Sequence, residues 1–194
     1  MRPRPHAILV SGPNGAGKST AAPGLVRDLL GVAEYVNADL IAQGLSAFDT
    51  ASVAFQAGRV MRARLRHLAD QRRDFAFETT LATRSYVPWL TELKEEGYVV
   101  DIIFLWLSSP EMAIARVAER VRLGGHDVDP DVVRRRFARG LQNFFGRYRA
   151  LADRWWFFDN AGVAGPRLLA GGGSATTTEI LDSPTWQSLV ERYR

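Results

Sequence analysis

The residues with the clearest chemical potential form one glycine-rich segment near the start of the chain. It reads Gly12-Pro13-Asn14-Gly15-Ala16-Gly17-Lys18-Ser19-Thr20 and follows the apolar run Ala7-Ile8-Leu9-Val10. In this P-loop pattern the glycines let backbone N–H groups surround phosphate oxygens, Lys18 neutralises phosphate charge and the Ser19 hydroxyl can ligate Mg²⁺. A helix that begins near Lys18 would add the positive end of its dipole. The segment therefore predicts a Mg²⁺-dependent nucleoside triphosphate site.

Two carboxylates follow the next two predicted strands. Asp39 comes after the short predicted strand 35–37, and Glu78 comes directly after Phe75-Ala76-Phe77. Phosphoryl transfer needs a group that accepts the proton of the attacking hydroxyl, and Asp39 is the candidate for that base; the alternative is a turn or helix-capping aspartate. Glu78 is a candidate to bind acceptor hydroxyls or to hold Mg²⁺ through water, or else it caps the turn with Thr79 and Thr80.

A group of arginines lies further along the chain, on two predicted helices joined by a loop that contains Gly124, Gly125 and His126. Such a helix–loop–helix unit can close over a bound triphosphate, and its cations can stabilise the transferring phosphoryl group. The alternative is two solvated helix faces. The candidate lid cations are Arg116, Arg120, Arg122 and Arg136.

The apolar runs alternate with helical patterns along the chain, and this order places the candidate residues at one edge of a sheet. We predict helices over 19–30, 52–70, 86–96, 110–122 and 130–149, and strands over 35–37, 75–77, 98–107 and 155–158. The run Gly171-Gly172-Gly173 predicts a hairpin turn, and a helix over 183–194 is one possibility for the end of the chain. The pattern predicts a three-layer α/β fold with a mostly parallel sheet.

The composition is that of an ordinary globular protein, with 46% hydrophobic and 24% charged residues among 194. We expect one domain over 1–194, with a lid at about 110–149 and a hairpin and helix at about 165–194. The absence of cysteine excludes disulfides and thiolate zinc sites. The short apolar run near the start is too short for a targeting or membrane segment, so we predict a cytoplasmic protein without a membrane partner.

The chain carries a formal charge of +4, and Lys18 and Lys94 are its only lysines, so arginine supplies most of the positive charge. Guanidinium groups suit phosphate oxygens, although an arginine-rich surface is more often simply solvated. The aromatic segment 143–149 has a spacing that suits core packing, and no RNA or DNA module is visible. A nucleic-acid partner is therefore not expected.

Taken together, the motifs resemble those of the zeta-toxin family of P-loop small-molecule kinases. The resemblance covers most of the chain, and the ordered set of motifs is more specific than the P-loop alone. It rests on the segments 12–20, 36–42, 77–81, 116–126, 135–137 and 158–160. The better-known toxins are longer and carry a second lid arginine near the position of Gly124-Gly125-His126.

This resemblance implies transfer of the γ-phosphate of ATP to a hydroxyl of a nucleotide sugar such as UDP-N-acetylglucosamine, and an antitoxin as a possible protein partner. It implies that Asp39 deprotonates the hydroxyl, that Glu78 lies beside the acceptor and that Arg120 or a neighbour holds the γ-phosphate. We predict further acceptor contacts from Thr79, Arg84 and His126. Two alternatives stay open: a kinase for another sugar, an antibiotic or a nucleic-acid end, and an ATP-dependent binding module with slow ATPase activity.

Overall fold

The computed structural model describes residues 4–28, 30–174 and 176–193. The predicted helix and strand segments include Leu29 and Arg194, which lie outside the described residues, as do the first three residues of the predicted domain. None of the helices in the described part of the chain is long and apolar enough to cross a membrane.

A single mixed sheet runs through the molecule. Its strands are β1 (His6–Ser11), β2 (Tyr35–Val36), β3 (Phe75–Thr79), β4 (Val99–Trp106), β5 (Arg154–Asp159), β6 (Arg167–Gly173) and β7 (Thr176–Ile180). They are ordered β2-β3-β1-β4-β5-β6-β7, and the first five are parallel while β6 and β7 are antiparallel. The predicted α/β class with a mostly parallel sheet is confirmed.

The helices cover the sheet and occupy most of the predicted positions. They are α1 (Lys18–Ala22), α2 (Ala38–Leu45), α3 (Ala54–Asp70), α4 (Val87–Glu95), α5 (Pro110–Arg122), α6 (Pro130–Asn143), α7 (Arg149–Leu151) and α8 (Ser183–Tyr193). Ser109 and Asp129 cap α5 and α6 at their N-termini, and each of these helices begins with proline. The β6–β7 hairpin is present as predicted, but the glycine run does not form its turn: Gly171, Gly172 and Gly173 are the last residues of β6 and pair with β7.

Two predicted helices are interrupted in the structure. The first changes from α1 to a π-helical turn at Pro23–Asp28, and the second changes from α6 to a π-helical turn at Phe144–Tyr148 before α7. Proline has no backbone N–H and cannot continue the i to i−4 hydrogen bonds, which accounts for the change at Pro23. The helix α2 was not predicted, and it is this helix that carries Asp39.

The core lies on both faces of the central strands. Every residue of β4 after Val99 is buried, as the near-continuous apolar run indicated for a strand covered on both faces. Aromatic rings from β4, β5 and the second π-helical turn pack together, among them Phe104, Phe144 and Phe157 with centroids 4.9–5.3 Å apart. The aromatic segment 143–149 thus contributes to the core, and the rigid sheet fixes the strand ends that carry polar residues.

Candidate functional site

A cleft of about 500 Å³ opens at the carboxyl ends of β1, β2 and β3, where the sequence predicted the site. Its wall combines the P-loop, the start of α2, the end of β3 and residues of the two helices that follow β4. The lining residues are Asn14, Gly15, Gly17, Lys18, Ser19, Thr20, Asn37, Ala38, Asp39, Glu78, Thr79, Thr80, Ala82, Thr83, Arg116, Arg120 and Arg136.

Three glycines of the P-loop have positive φ, and at two of them a side chain would also meet backbone atoms of another element. Gly12 has φ +138°, and a Cβ there would stand 2.1 Å from the Leu105 carbonyl oxygen of β4. Gly15 has φ +76°, and a Cβ there would stand 2.6 Å from the Ala113 carbonyl oxygen of α5. The loop is therefore pressed against both β4 and the first lid helix, while Gly12, Pro13 and Ala16 lie behind the cleft wall rather than on it.

Lys18 is the buried cation of the cleft. Its side chain is 6% exposed, its Nζ donates to the Pro13 carbonyl oxygen at 2.9 Å, and Glu78 Oε1 lies 3.6 Å away. Burial lowers the pKa of Lys18, and the negative charges of Glu78 and Asp39 oppose that change. An ammonium held inside the loop, with Glu78 Oε1 no closer than 3.6 Å, is suited to phosphate oxygens.

Glu78 is held by three neutral donors. Its Oε2 accepts hydrogen bonds from Tyr35 Oη at 2.6 Å, from Ser19 Oγ at 2.7 Å and from Asn37 Nδ2 at 2.7 Å. Burial, with a further contribution from the Glu78 charge, raises the pKa of Tyr35, so its hydroxyl keeps the proton that it donates. Glu78 is therefore fixed in orientation, and its Oε1 faces Lys18.

Asp39 lies in the first turn of α2, and Asn37 caps that helix. The Asn37 Oδ1 accepts from the backbone N–H groups of Asp39 at 2.7 Å and of Leu40 at 3.4 Å. The alternative interpretation, in which Asp39 caps the helix, is therefore wrong, because the capping residue is Asn37. The Asp39 carboxylate is exposed to the cleft and makes no hydrogen bond or ion pair within the described ranges. It is available as a base.

Three of the four predicted lid arginines reach the cleft. Arg116 donates to the carbonyl oxygens of Asn160 and Ala161 at 2.7 and 2.8 Å, which anchors α5 to the end of β5. Arg120 donates through Nη2 to the His126 carbonyl oxygen at 2.5 Å, and its buried Nε has no hydrogen-bond partner among the described residues.

Arg136 enters the cleft from α6. Its Nη1 donates to Asn14 Oδ1 of the P-loop at 3.4 Å. Burial lowers the pKa of Arg136, and the negative charge of Asp39 opposes the change. The guanidinium of Arg136 therefore interacts with both the P-loop and the candidate base.

The structure does not bring the other predicted residues to the cleft wall. Arg122 is 74% exposed and pairs with Glu119 on its own helix. Arg84 donates through Nε to Asn143 Oδ1 at 3.0 Å and so points to α6.

His126 also lies outside the cleft. Its ring bonds to Thr50 Oγ1 at 2.8 Å, and it borders a smaller adjoining cavity on the other side of Asp39. His126, Arg84 and Arg122 each contact a residue outside the cleft wall, and the spacing of residues in the sequence does not reveal such contacts.

Several residues in or behind the cleft wall were not predicted as site residues. Tyr35 and Asn37 hold Glu78, and Asn160 donates through Nδ2 to the Ala16 carbonyl oxygen at 2.8 Å behind the P-loop. Thr80 and Thr83 line the cleft beside the predicted Thr79. The position of Asn37 two residues before Asp39 was the signal available for an N-cap. Asn160 belongs to the segment 158–160 that resembles the family motifs, but its contact with the P-loop depends on strand order, as does the contact of Tyr35 with Glu78.

The oxygen ligands in the cleft fit a magnesium ion. Mg²⁺ prefers one or two protein oxygens and completes its octahedron with phosphate oxygens and water. The Ser19 hydroxyl and the carboxylates of Glu78 and Asp39 supply such oxygens at the P-loop. Within the described residues no three histidine, aspartate or glutamate side chains gather as a metal cage. Ser19, with Glu78 through water, is the set that would hold the ion.

The fold is similar to those of several solved proteins. A chain of the AvrRxo1-ORF1:AvrRxo1-ORF2 complex crystallised with sulphate ions has a TM-score of 0.75 at 14% identity, covering 96% of this chain and 64% of its own length. A chain of the PezAT chromosomal toxin–antitoxin system of Streptococcus pneumoniae has a TM-score of 0.66 at 15% identity, covering 98% of this chain and 78% of its own. A gluconokinase from Sinorhizobium meliloti 1021 has a TM-score of 0.52 at 19% identity, covering 83% of this chain and 86% of its own.

Identities this low establish the fold and nothing further. In length, this chain spans under two thirds of the AvrRxo1 chain. By sequence, it is 28% identical over 131 residues to an uncharacterized protein of Haemophilus influenzae, a match that covers 68% of this chain and 91% of the relative. The family model described as zeta toxin matches residues 1–162. With the P-loop, the two carboxylates and the arginines of α5 and α6 in one cleft, this match identifies the chain as a member of the zeta toxin family.

Proposed function

We propose that the protein is an ATP-dependent phosphotransferase that moves the γ-phosphate of Mg-ATP to a hydroxyl of a small acceptor, with a nucleotide sugar such as UDP-N-acetylglucosamine as the first candidate. One observation carries the proposal: the carboxylate of Asp39 has no partner within the described chain and shares one cleft with the P-loop and with Arg120 and Arg136. Family membership supports it, and a similar complex has been crystallised with ATP.

The donor side of the reaction follows from the P-loop. The triphosphate binds along the backbone N–H groups of the loop and against the N-terminus of α1, where Lys18 Nζ leaves the Pro13 carbonyl oxygen for phosphate oxygens. Mg²⁺ neutralises phosphate charge when it is bound. Ser19 would hold the ion through a lone pair of its hydroxyl oxygen, while its O–H could keep the hydrogen bond to Glu78.

The acceptor side is formed by Asp39 and Glu78. Asp39 takes the proton of the attacking hydroxyl as the bond to the γ-phosphorus forms and the bond to the β–γ bridging oxygen breaks. Glu78 holds a neighbouring hydroxyl of the acceptor, since its carboxylate is already fixed by Tyr35 and Asn37. Arg120 and Arg136 stabilise the charge on the phosphoryl group as it transfers, and α5 with α6 acts as the lid.

The test is a phosphorylation screen with purified protein, Mg-ATP and a metabolite extract, read by the mass increase of one phosphate. UDP-N-acetylglucosamine, other sugars, aminoglycosides and oligonucleotide ends form separate defined panels. Phosphorylation of a small acceptor supports the proposal and identifies that acceptor. ATP hydrolysis that is slow and unchanged by every acceptor, with ATP-responsive binding to nucleic acid, would favour a binding module instead.

A further inference from the structure

The loop between α5 and α6, residues 123–129, is tied by one side chain to the loop between α2 and α3, residues 46–53. His126 Nδ1 and Thr50 Oγ1 are 2.8 Å apart in a hydrogen bond, and both side chains are half-buried. This contact is called the lid latch below. Neither residue lines the cleft, so the proposed transfer reaction does not by itself account for the contact.

The α2–α3 loop presents Thr50 from a hydrogen-bonded turn. The backbone N–H of Asp49 donates to Ser46 Oγ at 3.2 Å, and Asp49 Oδ1 accepts from the backbone N–H of Ser52 at 3.1 Å. On either side of this loop, α2 and α3 pack against each other. The hydroxyl of Thr50 therefore has a defined position relative to α2, the helix that carries Asp39.

On the lid side, the latch leads to Arg120. Arg120 Nη2 donates to the backbone carbonyl oxygen of His126, and the backbone N–H of Gly125 donates to the Arg120 carbonyl oxygen at 2.9 Å. A Cβ at Gly125 would stand 2.5 Å from Arg120 Cγ, so the loop lies directly against the stem of the arginine. His126 thus bonds Thr50 through its ring and holds the Arg120 guanidinium through its backbone.

The guanidinium held in this way belongs to the phosphate site. Arg120 and Lys18 line the same cleft. Burial is the main cause of the lowered pKa of Lys18, and the positive charge of Arg120 acts in the same direction. Arg120 Nη1 makes no hydrogen bond within the part of the chain that the structure describes, so it is available to phosphate oxygens.

The latch also adjoins the candidate base. Asp39, Thr50 and His126 border the same small cavity, of about 50 Å³. The latch therefore joins the segment that follows the helix of the base to the loop that orients the arginine. Its loss should release the α5–α6 loop, and with it Arg120, while the P-loop itself stays in place.

We propose that Thr50 and His126 are positioning residues for Arg120: the lid latch holds the α5–α6 loop in the arrangement in which His126 directs the Arg120 guanidinium to the γ-phosphate. The inference rests on the proposed function, because it assigns a role in the same phosphotransfer site to two residues outside the cleft wall. The latch reaches the phosphates through Arg120, so a nucleotide without a γ-phosphate should bind as well without the latch as with it.

Calorimetric titration tests the latch without any acceptor. A non-hydrolysable ATP analogue and ADP, each with Mg²⁺, are titrated separately, and the ratio of their Kd values measures the preference for the γ-phosphate. Thr50→Val removes the hydroxyl and keeps the shape of the side chain. We expect it to lower the preference by about fivefold, as for the loss of one hydrogen bond, while Thr50→Ser keeps the wild-type preference.

Two further variants separate positioning from a general loss of structure. Arg120→Ala should itself lower the preference, and adding Thr50→Val to it should cause no further loss, because the latch acts through the arginine. Thr91→Val is the matched control, since it removes a hydroxyl that donates to the Val87 carbonyl oxygen of its own helix at 3.0 Å. This control should bind both nucleotides like the wild type.

Five outcomes overturn the latch: no binding of the analogue to the wild type, an unchanged preference in Arg120→Ala, an unchanged preference in Thr50→Val, an equal loss in Thr50→Ser or Thr91→Val, or a further fivefold loss in the double variant. The result is separable from that of the phosphorylation screen. A preference that depends on Thr50 through Arg120, with no acceptor phosphorylated, supports the latch while the transferase proposal fails. Phosphorylation of an acceptor, with an unchanged preference in Thr50→Val, supports the transferase while the latch fails.

Discussion

The central sheet has one edge where its parallel strands begin and an opposite edge where they end, and each carries a buried or half-buried carboxylate. The two carboxylates are held by different kinds of donor. At the amino end of the parallel strands, Asp101 is fully buried and accepts from Arg154 Nε and Nη2 at 2.7 and 2.6 Å, with His6 Nδ1 at 2.7 Å. At the carboxyl end, Glu78 accepts from three neutral donors and has its nearest cation 3.6 Å away.

The difference separates a structural carboxylate from one that is available to a ligand. The charge of Asp101 is compensated within the protein, so nothing further is needed to satisfy it. Glu78 and Asp39 face a cleft that also contains Lys18, Arg120 and Arg136, and among the described residues Lys18 and Glu78 form the one ion pair between these groups. Carboxylates and cations that share a cleft without neutralising one another are suited to a charged ligand with a bound metal ion.

The largest effect is expected from Asp39→Asn. The amide keeps the shape of the side chain and cannot take up the hydroxyl proton, so turnover should fall by about 10³-fold, within the usual range for loss of a general base. ATP binding and the thermal unfolding midpoint should stay near the wild-type values, because the carboxylate has no partner within the described chain. Initial rates of product formation measure the effect.

Asp70→Asn is the matched control for that variant, since it removes an exposed carboxylate at the end of α3. It should turn over like the wild type. Turnover of Asp39→Asn at the wild-type rate would remove Asp39 as the base.

Asp101→Asn should have the next largest effect, on stability alone. Removing one partner of a buried ion pair leaves the other uncompensated, and the cost is about 3 kcal/mol, at the low end of the usual range because Arg154 can turn to solvent. Denaturant unfolding followed by circular dichroism measures the change. Turnover per folded molecule should not alter, and a selective loss of turnover would mean that the amino edge of the sheet contributes to the reaction.

Glu78→Gln makes the same chemical change at the opposite edge and should have the opposite outcome. The amide can still accept hydrogen bonds from Tyr35 and Ser19, so we expect the free energy of unfolding to change by less than about 1 kcal/mol. Loss of the charge beside Lys18 and the acceptor should reduce kcat/KM by roughly 30-fold, about 2 kcal/mol of transition-state stabilisation. If this variant loses more stability than Asp101→Asn, the distinction between the two edges is wrong.

The sequence predicted the edge that carries the site because the local signals agreed there. Apolar runs and the glycine pattern placed β1 and the P-loop, and Pro110 and Pro130 placed the starts of α5 and α6. The α2 helix was missed because it has only eight residues and contains Gly44, which is unfavourable within a helix.

The partners of individual side chains were less predictable. His126 and Arg84 turn to Thr50 and Asn143, residues distant in sequence. Tyr35 reaches Glu78 only because β2 lies beside β3 at the edge of the sheet, and strand order is not encoded in any local pattern. Positions set by the backbone periodicity were therefore accessible from sequence, while those set by long-range hydrogen bonds were not.

The smallest effect is expected from Tyr35→Phe, which tests how Glu78 is kept open to the cleft. The change removes the 2.6 Å hydrogen bond to Oε2 and keeps the ring, so Glu78 gains freedom but stays charged. As a positioning residue, Tyr35 should affect acceptor KM, raising it by roughly fivefold, or about 1 kcal/mol for one hydrogen bond, with kcat nearly unchanged. Tyr193→Phe is the matched control, because the hydroxyl of Tyr193 makes no hydrogen bond within the described chain. Equal KM values for both variants would mean that Asn37 and Ser19 are sufficient to hold Glu78 and that Tyr35 contributes only to packing.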